Sequence, residues 1–221
     1  MKTNYNLVMK DIINNLETTP KLLLHSCCGP CSTTVINILS NYFYVDVLYY
    51  NPNIEPEEEY LKRKSEQIKF INEFKGKYPV KLIDADYDNE DFMTDLHPLK
   101  DEKEGGARCS ICIKKRMEYT CKKAKELNYD YFATTLTVSP HKNSELINKI
   151  GEHLEKEYEI KYLYSDFKKE DGYLKSIRYS KEYDLYRQNY CGCRYSIYDE
   201  IDGDYLTIFY LHWQMLGAML G

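Results

Sequence analysis

Short apolar stretches alternate with longer amphipathic ones along most of the chain. The apolar stretches are typical of buried strands, and those between them have helical periodicity. The predicted strands are residues 21–25, 44–50, 80–83, 131–135 and 161–164, and the predicted helices are residues 5–17, 32–42, 56–74, 109–127 and 144–156. This alternation indicates an α/β fold of three layers, a mostly parallel sheet with helices on both faces and a helical C-terminal part. Such sheets bind ligands beyond the carboxyl ends of their strands.

The chain has 221 residues, which predicts one domain with a full hydrophobic core. We assign this domain to residues 1–196, and residues 197–221 to a tail that is apolar without clean periodicity. No apolar run reaches the length of about 18 residues that a membrane span needs. The N-terminus also lacks the apolar segment of a secretory signal. We therefore expect a cytoplasmic protein whose cysteines lie in a reducing compartment.

Seven of the eight cysteines fall in three tight groups. The groups are Cys27, Cys28 and Cys31 (CCxxC), Cys109 and Cys112 (CxxC), and Cys191 and Cys193 (CxC). A structural zinc site takes four ligands, usually from paired CxxC turns, and these groups do not have that form. Adjacent cysteines fit an iron–sulfur cluster better, and the thiols beyond the four that one cluster needs indicate a second metal. The eighth cysteine, Cys121, lies inside the predicted helix and is interpreted as structural.

The net charge of −5 argues against general nucleic-acid coating, but the charges are unevenly distributed. Residues 84–95 contain six acids and no base, whereas residues 108–125 contain seven bases and one acid. Residues 161–194 contain eight bases and five acids. A locally basic surface on an acidic protein can follow a phosphate backbone. The alternative for residues 108–125 is a helix face that is simply solvated.

Six segments together resemble the QueH type of epoxyqueuosine reductase. They are HSCCGPCS at 25–32, YNPNI at 50–54, CxxC at 109–112, FATTLxxSP at 132–140, DFK at 166–168 and YCGC at 190–193. The resemblance implies a HUP-type catalytic domain related to the PP-loop ATP pyrophosphatases. HSCCGPCS stands where those enzymes carry a glycine-rich phosphate loop, so we do not expect ATP binding. Some family members carry Asp as a metal ligand at the position of Cys31, which implies that Cys31 is a ligand here.

The resemblance also implies an activity, the reduction of epoxyqueuosine to queuosine in the tRNA anticodon. Its cofactors would be a [4Fe–4S] cluster and an adjacent single iron. A low-potential electron donor would supply the electrons. The implied cluster ligands are Cys27, Cys28, Cys109, Cys112, Cys191 and Cys193, with Cys31 as a further metal ligand; how they divide between the two centres stays open.

Opening an epoxide to an alkene consumes two electrons and two protons, so a proton donor is needed. By position, the candidate catalytic residues are His25, Tyr50 and Lys168, with His141 as a further proton donor. The predicted substrate-binding residues are Asn51, Asn53, Ser139, Asp166, Phe167, Lys168, Tyr190 and Arg194. Tyr190, Tyr195 and Phe167 would stack on unpaired bases, flanked by Lys168, Arg187 and Arg194.

Three other functions remain open from the sequence alone. The first is a zinc-binding structural or adaptor protein. The second is a thiol–disulfide oxidoreductase that uses Cys109 and Cys112, and the close spacing of the cysteines also permits a disulfide bond. The third is a pyrophosphatase-type tRNA-modifying enzyme, which the missing phosphate loop disfavours.

Overall fold

The computed structural model describes residues 3–196 of the chain. The tail predicted at residues 197–221 lies outside the described residues. No helix in the described part is long and apolar enough to cross a membrane.

A five-stranded sheet forms the centre of the fold, and every neighbouring pair in it is parallel. Its strands are Lys21–His25 (β1), Tyr44–Tyr49 (β2), Lys81–Asp84 (β3), Tyr131–Thr134 (β4) and Lys161–Tyr162 (β5). They lie in the order β3-β2-β1-β4-β5. This confirms the predicted parallel sheet, and the order reverses direction between β1 and β4. Doubly wound sheets bind their ligands at such a switch point, outside the carboxyl ends of the strands.

Seven α-helices lie before, between and after the strands in residues 3–196. They are Tyr5–Asn14 (α1), Gly29–Leu39 (α2), Glu57–Glu73 (α3), Asn89–Thr94 (α4), Ala107–Glu126 (α5), Ser144–Tyr158 (α6) and Gly172–Glu182 (α7), with 3₁₀ turns at His97–Leu99 and Thr135–Val138. The short helix α4 lies in the acidic stretch that the sequence left irregular. Asp88 caps it by accepting a hydrogen bond from the backbone amide of Asp91, at 3.1 Å.

The helices form a layer on each face of the sheet, as the sequence predicted. Side chains of α1, α2, α3 and α7 pack on one face, and side chains of α5 and α6 pack on the other. The central strand β1 is buried on both sides: Leu22 and Leu24 belong to one core and Leu23 to the other. A strand covered on both faces needs a continuous apolar run instead of an alternating one, and KLLLH has that pattern.

Helix α2 begins directly after β1, and a glycine allows it to lie close to α3. A Cβ atom at Gly29 would lie 2.9 Å from the carbonyl oxygen of Glu66, which is too close for any side chain. Cys28 is the N-cap residue of α2, and Pro30 occupies its first turn. The local sequence therefore fixes the CCxxC group at the start of a helix and at the carboxyl end of the central strand.

Candidate metal centre

A cavity of about 790 Å³ opens at the carboxyl ends of the strands. Cys27 and Cys31 line it after β1, Asn51 and Asn53 after β2, and the segment 139–142 after β4. The wall also includes residues 187–191, Arg116, Pro30, Ile54, Arg63, Glu104, Gly105 and Tyr173. Segments that are distant along the chain thus meet at the predicted edge of the sheet.

The sulfur atoms of Cys27, Cys28 and Cys31 form a compact set, here called the thiol triad. These three atoms all lie within 4.8 Å of one another, and the Sγ atoms of Cys27 and Cys28 are 3.9 Å apart. A tetrahedral metal with metal–sulfur bonds of about 2.3 Å holds its sulfurs about 3.8 Å apart. The spacing of the triad therefore fits one metal ion. All eight cysteines are free thiols.

The triad carries an uneven distribution of charge. Hydrogen bonds from the thiols of Cys28 and Cys31 hold the pKa of Cys27 well below its usual range, and the Thr135 hydroxyl donates to the same sulfur at 3.5 Å. The hydrogen bond with Cys27 raises the pKa of Cys28 to about 12, and the neighbouring thiols also raise the pKa of Cys31 well above its usual value. Cys27 therefore loses its proton more readily than Cys28 or Cys31, and a bound metal displaces the remaining protons.

The other four grouped cysteines, Cys109, Cys112, Cys191 and Cys193, form a second set, here called the thiol quartet. Burial raises the pKa of Cys112 to about 11, and the negative charges of Cys191, Cys193 and Cys109 add to the effect. These charges act on Cys112 from both ends of the quartet, which indicates that its four cysteines lie in one region of the molecule. Cys191 lines the same cavity as Cys27 and Cys31, so this member of the quartet lies near the triad.

The CxC turn of the quartet depends on a glycine and a buried arginine. Gly192 has a φ of +108°, and a Cβ atom there would lie 2.9 Å from Nη1 of Arg63. Arg63 pairs with Glu59 at 2.6 Å and donates a hydrogen bond to the carbonyl of Cys191 at 3.1 Å. The turn is therefore held by a fixed cation, and its left-handed backbone favours glycine.

Two cations beside the cysteines, buried Arg116 and half-buried Lys142, were not recognised from the sequence. Nε of Arg116 donates to the carbonyl of Cys112 at 3.3 Å, and Nζ of Lys142 lies 3.7 Å from Sγ of Cys191. Cys191 raises the pKa of Lys142, so the ammonium stays charged. The sequence assigned Arg108 and Arg116 to a basic stretch that either follows a phosphate backbone or faces solvent, and both interpretations are wrong for these two residues because each is 3% exposed. The spacing of four residues between Cys112 and Arg116 on one helix is the signal that could have found Arg116.

His25, a predicted proton donor, is fully buried at the end of β1. Its Nδ1 lies 2.9 Å from the Thr134 hydroxyl and its Nε2 lies 3.2 Å from the Tyr50 carbonyl. Burial, assisted by the charge of Arg116, lowers the pKa of His25 to about 3. The imidazole is therefore neutral near pH 7, which argues for a positioning role and against the predicted role as an acid.

Tyr50 and Lys168 are the other two candidate catalytic residues. Both lie close to the site, but neither lines the cavity formed by the described residues. The Tyr50 ring stacks on Tyr119 with a centroid separation of 3.7 Å, and burial raises its pKa to about 12. Nζ of Lys168 donates to the carbonyl of Lys142 at 3.2 Å and lies 3.4 Å from Asp166. Lys168 thus supports the segment that carries Lys142. His141 lines the cavity itself.

Several predicted substrate-binding residues meet at the cavity. Asn51, Asn53, Ser139 and Tyr190 line it, together with Arg187. Asn53 is 1% exposed, and its Oδ1 atom has no hydrogen-bond partner among the described residues. Since buried polar atoms rarely stay unpaired, this oxygen is available to a ligand.

The remaining predicted substrate-binding residues are placed differently. Phe167 is 2% exposed and packs in the hydrophobic core, so its predicted role in base stacking is wrong. Asp166 accepts a hydrogen bond from Ser144 at 3.2 Å, and Nε of Arg194 donates to Glu55 at 2.8 Å. The Tyr195 ring lies under the Arg108 guanidinium, with 4.5 Å between the central carbon and the centroid.

Cys121 is separate from both sets of thiols. It is fully buried in the core between α5 and α6, and burial raises its pKa to about 12. The structure therefore gives it the surroundings of a packing residue, as the sequence predicted.

Comparison with known proteins identifies the family to which the chain belongs. A family model described as epoxyqueuosine reductase QueH matches residues 22–199. The chain belongs to this family. The match runs from β1 past the CxC turn, so it includes both the triad and the quartet.

Relatives in the family cover most of the chain. A protein named epoxyqueuosine reductase QueH from Staphylococcus epidermidis is 44% identical over 87% of this chain and 84% of its own length. A protein of the same name from Streptococcus pyogenes is 42% identical over 88% of this chain and 78% of its own length. The relative from Thermotoga maritima is 37% identical over 80% of this chain and 90% of its own length.

Proposed function

We propose that this chain is an oxidoreductase that converts epoxyqueuosine to queuosine in tRNA. Membership of the family supports the reaction and the substrate. The observation that carries the proposal is that cysteines of both thiol sets, Cys27 and Cys31 of the triad and Cys191 of the quartet, line one cavity at the switch point of the sheet. A single structural metal would not need seven thiols.

The two thiol sets suggest how the cofactors divide. The quartet supplies the four thiolates that a [4Fe–4S] cluster takes. The triad, whose sulfurs are spaced for one ion, would hold the single iron. When bound, these groups supply one-electron transfer and Lewis-acid polarisation of an oxygen atom.

The reaction joins one epoxide, two electrons and two protons to give one alkene and one water. The electrons must come from an external low-potential donor. His141 and Lys142 lie on the cavity wall and are the proton donors that we propose, and the ammonium of Lys142 would stabilise an alkoxide formed in the cavity. We also propose Tyr50 and Lys168 as proton donors, although neither lines the cavity wall in the described residues.

The cavity has the size and chemistry for a modified nucleobase. Its volume of about 790 Å³ lies within the range of about 300–1,000 Å³ that is usual for small-molecule sites. The unpaired oxygen of Asn53 can accept a hydrogen bond from the base or from a ring hydroxyl, and Tyr190 offers an aromatic face at the rim. Because bases are reached most easily in single-stranded loops, the anticodon is the part of tRNA that we propose as substrate.

Replacing one cysteine from each set tests the cofactor assignment. After anaerobic reconstitution, we expect Cys193→Ser to lose the spectroscopic signature of the cluster and Cys31→Ser to lose only the single iron. Cys121→Ser, a cysteine outside both sets, should keep the full iron content. Iron analysis with Mössbauer spectroscopy distinguishes the three results. A colourless protein that holds only zinc would instead support the zinc-binding alternative.

A single-turnover assay tests the reaction. Protein with a reduced cluster is mixed anaerobically with an anticodon stem-loop containing epoxyqueuosine, and the RNA is analysed by mass spectrometry. We expect a product lighter by one oxygen atom. If a protein with both centres occupied and reduced leaves the epoxide intact, the proposed activity is wrong.

A further inference from the structure

Arg116 is a buried cation with an unusual set of neighbours. It lies in α5, one turn after Cys112, and is 3% exposed. No carboxylate among residues 3–196 lies within ion-pair distance of it. By contrast Arg63, which is also buried, pairs with Glu59 at 2.6 Å. A buried charge without an opposite charge is strongly unfavourable, so Arg116 requires an anionic partner from elsewhere.

The contacts of Arg116 connect the two thiol sets. Its Nε donates to the carbonyl of Cys112 in the quartet at 3.3 Å, and its Nη1 donates to Oδ1 of Asn51 at 3.4 Å. The Asn51 amide in turn donates to the carbonyl of Ser26 at 2.7 Å, next to Cys27 of the triad. The guanidinium also lines the cavity that Cys27 and Cys191 share.

Arg116 interacts electrostatically with thiols of both sets. Although burial acts to lower the pKa of Arg116, the negative charges of Cys112, Cys191, Cys27 and Cys109 raise it overall. A metal bound by these cysteines would displace their protons, and the resulting thiolates would supply the negative charge that the guanidinium lacks. Arginine suits this position because it stays charged when buried and its planar group can bond two carbonyl oxygens at once.

We propose that Arg116 is a positioning residue that supplies the counter-charge for the metal centres and raises the reduction potential of the cluster. This inference rests on the proposed function only in assuming that the quartet binds an iron–sulfur cluster. Adding one electron to a thiolate-bound cluster increases its negative charge. A fixed positive charge nearby stabilises the reduced form more than the oxidised form.

The test compares cluster reduction potentials by anaerobic redox titration with electron paramagnetic resonance. We expect Arg116→Gln to lower the ratio of reduced to oxidised cluster at a fixed potential about tenfold, which corresponds to a shift of about 59 mV for one electron. Arg116→Lys, which keeps the charge, should restore most of the wild-type potential. Lys115→Gln is the matched control, because it removes one charge from the neighbouring position of the same helix. Its Nζ lies 2.7 Å from Asp95, away from the cavity.

A second variant keeps the test decisive if Arg116→Gln fails to take up the cluster. Asn51→Asp places a carboxylate against the guanidinium without emptying buried space, and we expect it to shift the potential in the same negative direction. Equal potentials for wild type, Arg116→Gln and Asn51→Asp would overturn the inference and leave the proposed function intact. A wild-type protein that binds no cluster would overturn both.

Discussion

The burial of His25 makes a measurable prediction about stability and pH. In the folded protein its pKa is lowered from 6.5 to about 3. As the pH falls below 6.5, the unfolded chain takes up a proton on this imidazole and the folded chain does not. The free energy of unfolding therefore falls with pH, by about 1.4 kcal/mol for each pH unit. Over the whole interval the imidazole accounts for roughly 5 kcal/mol, and this contribution is complete above pH 6.5.

Urea unfolding of the metal-free, reduced protein at several pH values between 6.5 and 4.5 measures this effect. Glutamine at position 25 can form comparable hydrogen bonds but does not ionise. We expect the stability difference between wild type and His25→Gln to shrink by roughly 2–3 kcal/mol across this interval. His153→Gln is the control: the His153 side chain is 64% exposed, and this variant should follow the wild-type curve. Parallel curves for wild type and His25→Gln would show that His25 ionises in the folded protein, and its role as a proton donor would have to be reconsidered.

Three further predictions follow from the site. Gly192→Ala forces a methyl group to within about 3 Å of Arg63 in a left-handed backbone, so we expect loss of cluster iron by elemental analysis; unchanged iron would show that the turn tolerates a side chain. Arg187→Gln removes a charge from the cavity wall and should weaken tRNA binding, with a salt slope lower by about one phosphate contact. Lys77→Gln, in the loop before β3, should change neither the tRNA affinity nor the salt slope. If Lys77→Gln and Arg187→Gln weakened tRNA binding equally, the cavity would not be the tRNA-binding surface. Phe167→Leu should cost about 1–2 kcal/mol of stability in urea unfolding and leave tRNA affinity unchanged; a specific loss of affinity would return Phe167 to the RNA surface.

The elements with a strong apolar pattern were predictable. Strand β1 has the predicted bounds because the central strand is covered on both faces and reads as one continuous apolar run. Helix α2 begins three residues earlier than predicted, since Gly29 and Pro30 show no periodicity although proline suits a first helical turn. Helix α4 was missed because an acidic sequence gives no helical signal. It depends on the Asp88 cap and on the burial of Phe92 against the quartet side of α5.

The cysteines of the site were recognisable from their spacing, whereas its cations were not. Charge patterning counts lysines and arginines but does not say which side chain points inward. Arg116 lies in a run of bases that looks like a solvated surface, and only its position relative to Cys112 distinguishes it. Phe167 was misread for a related reason: an aromatic residue beside a lysine has the same local sequence whether the ring faces RNA or the core.

The thiol quartet joins parts of the chain that are far apart in sequence. Cys109 and Cys112 belong to the first turns of α5, and Cys191 and Cys193 come from the turn near the end of the described residues. A cofactor that binds all four closes a long loop and binds only the folded chain, so its occupancy adds to the stability of the last segment. During synthesis Cys191 and Cys193 emerge after residues 1–190, so the cluster can be completed only once those residues have been made. Cluster loading would thus serve as a late checkpoint on folding, and proteolysis near the CxC turn would distinguish loaded from empty protein.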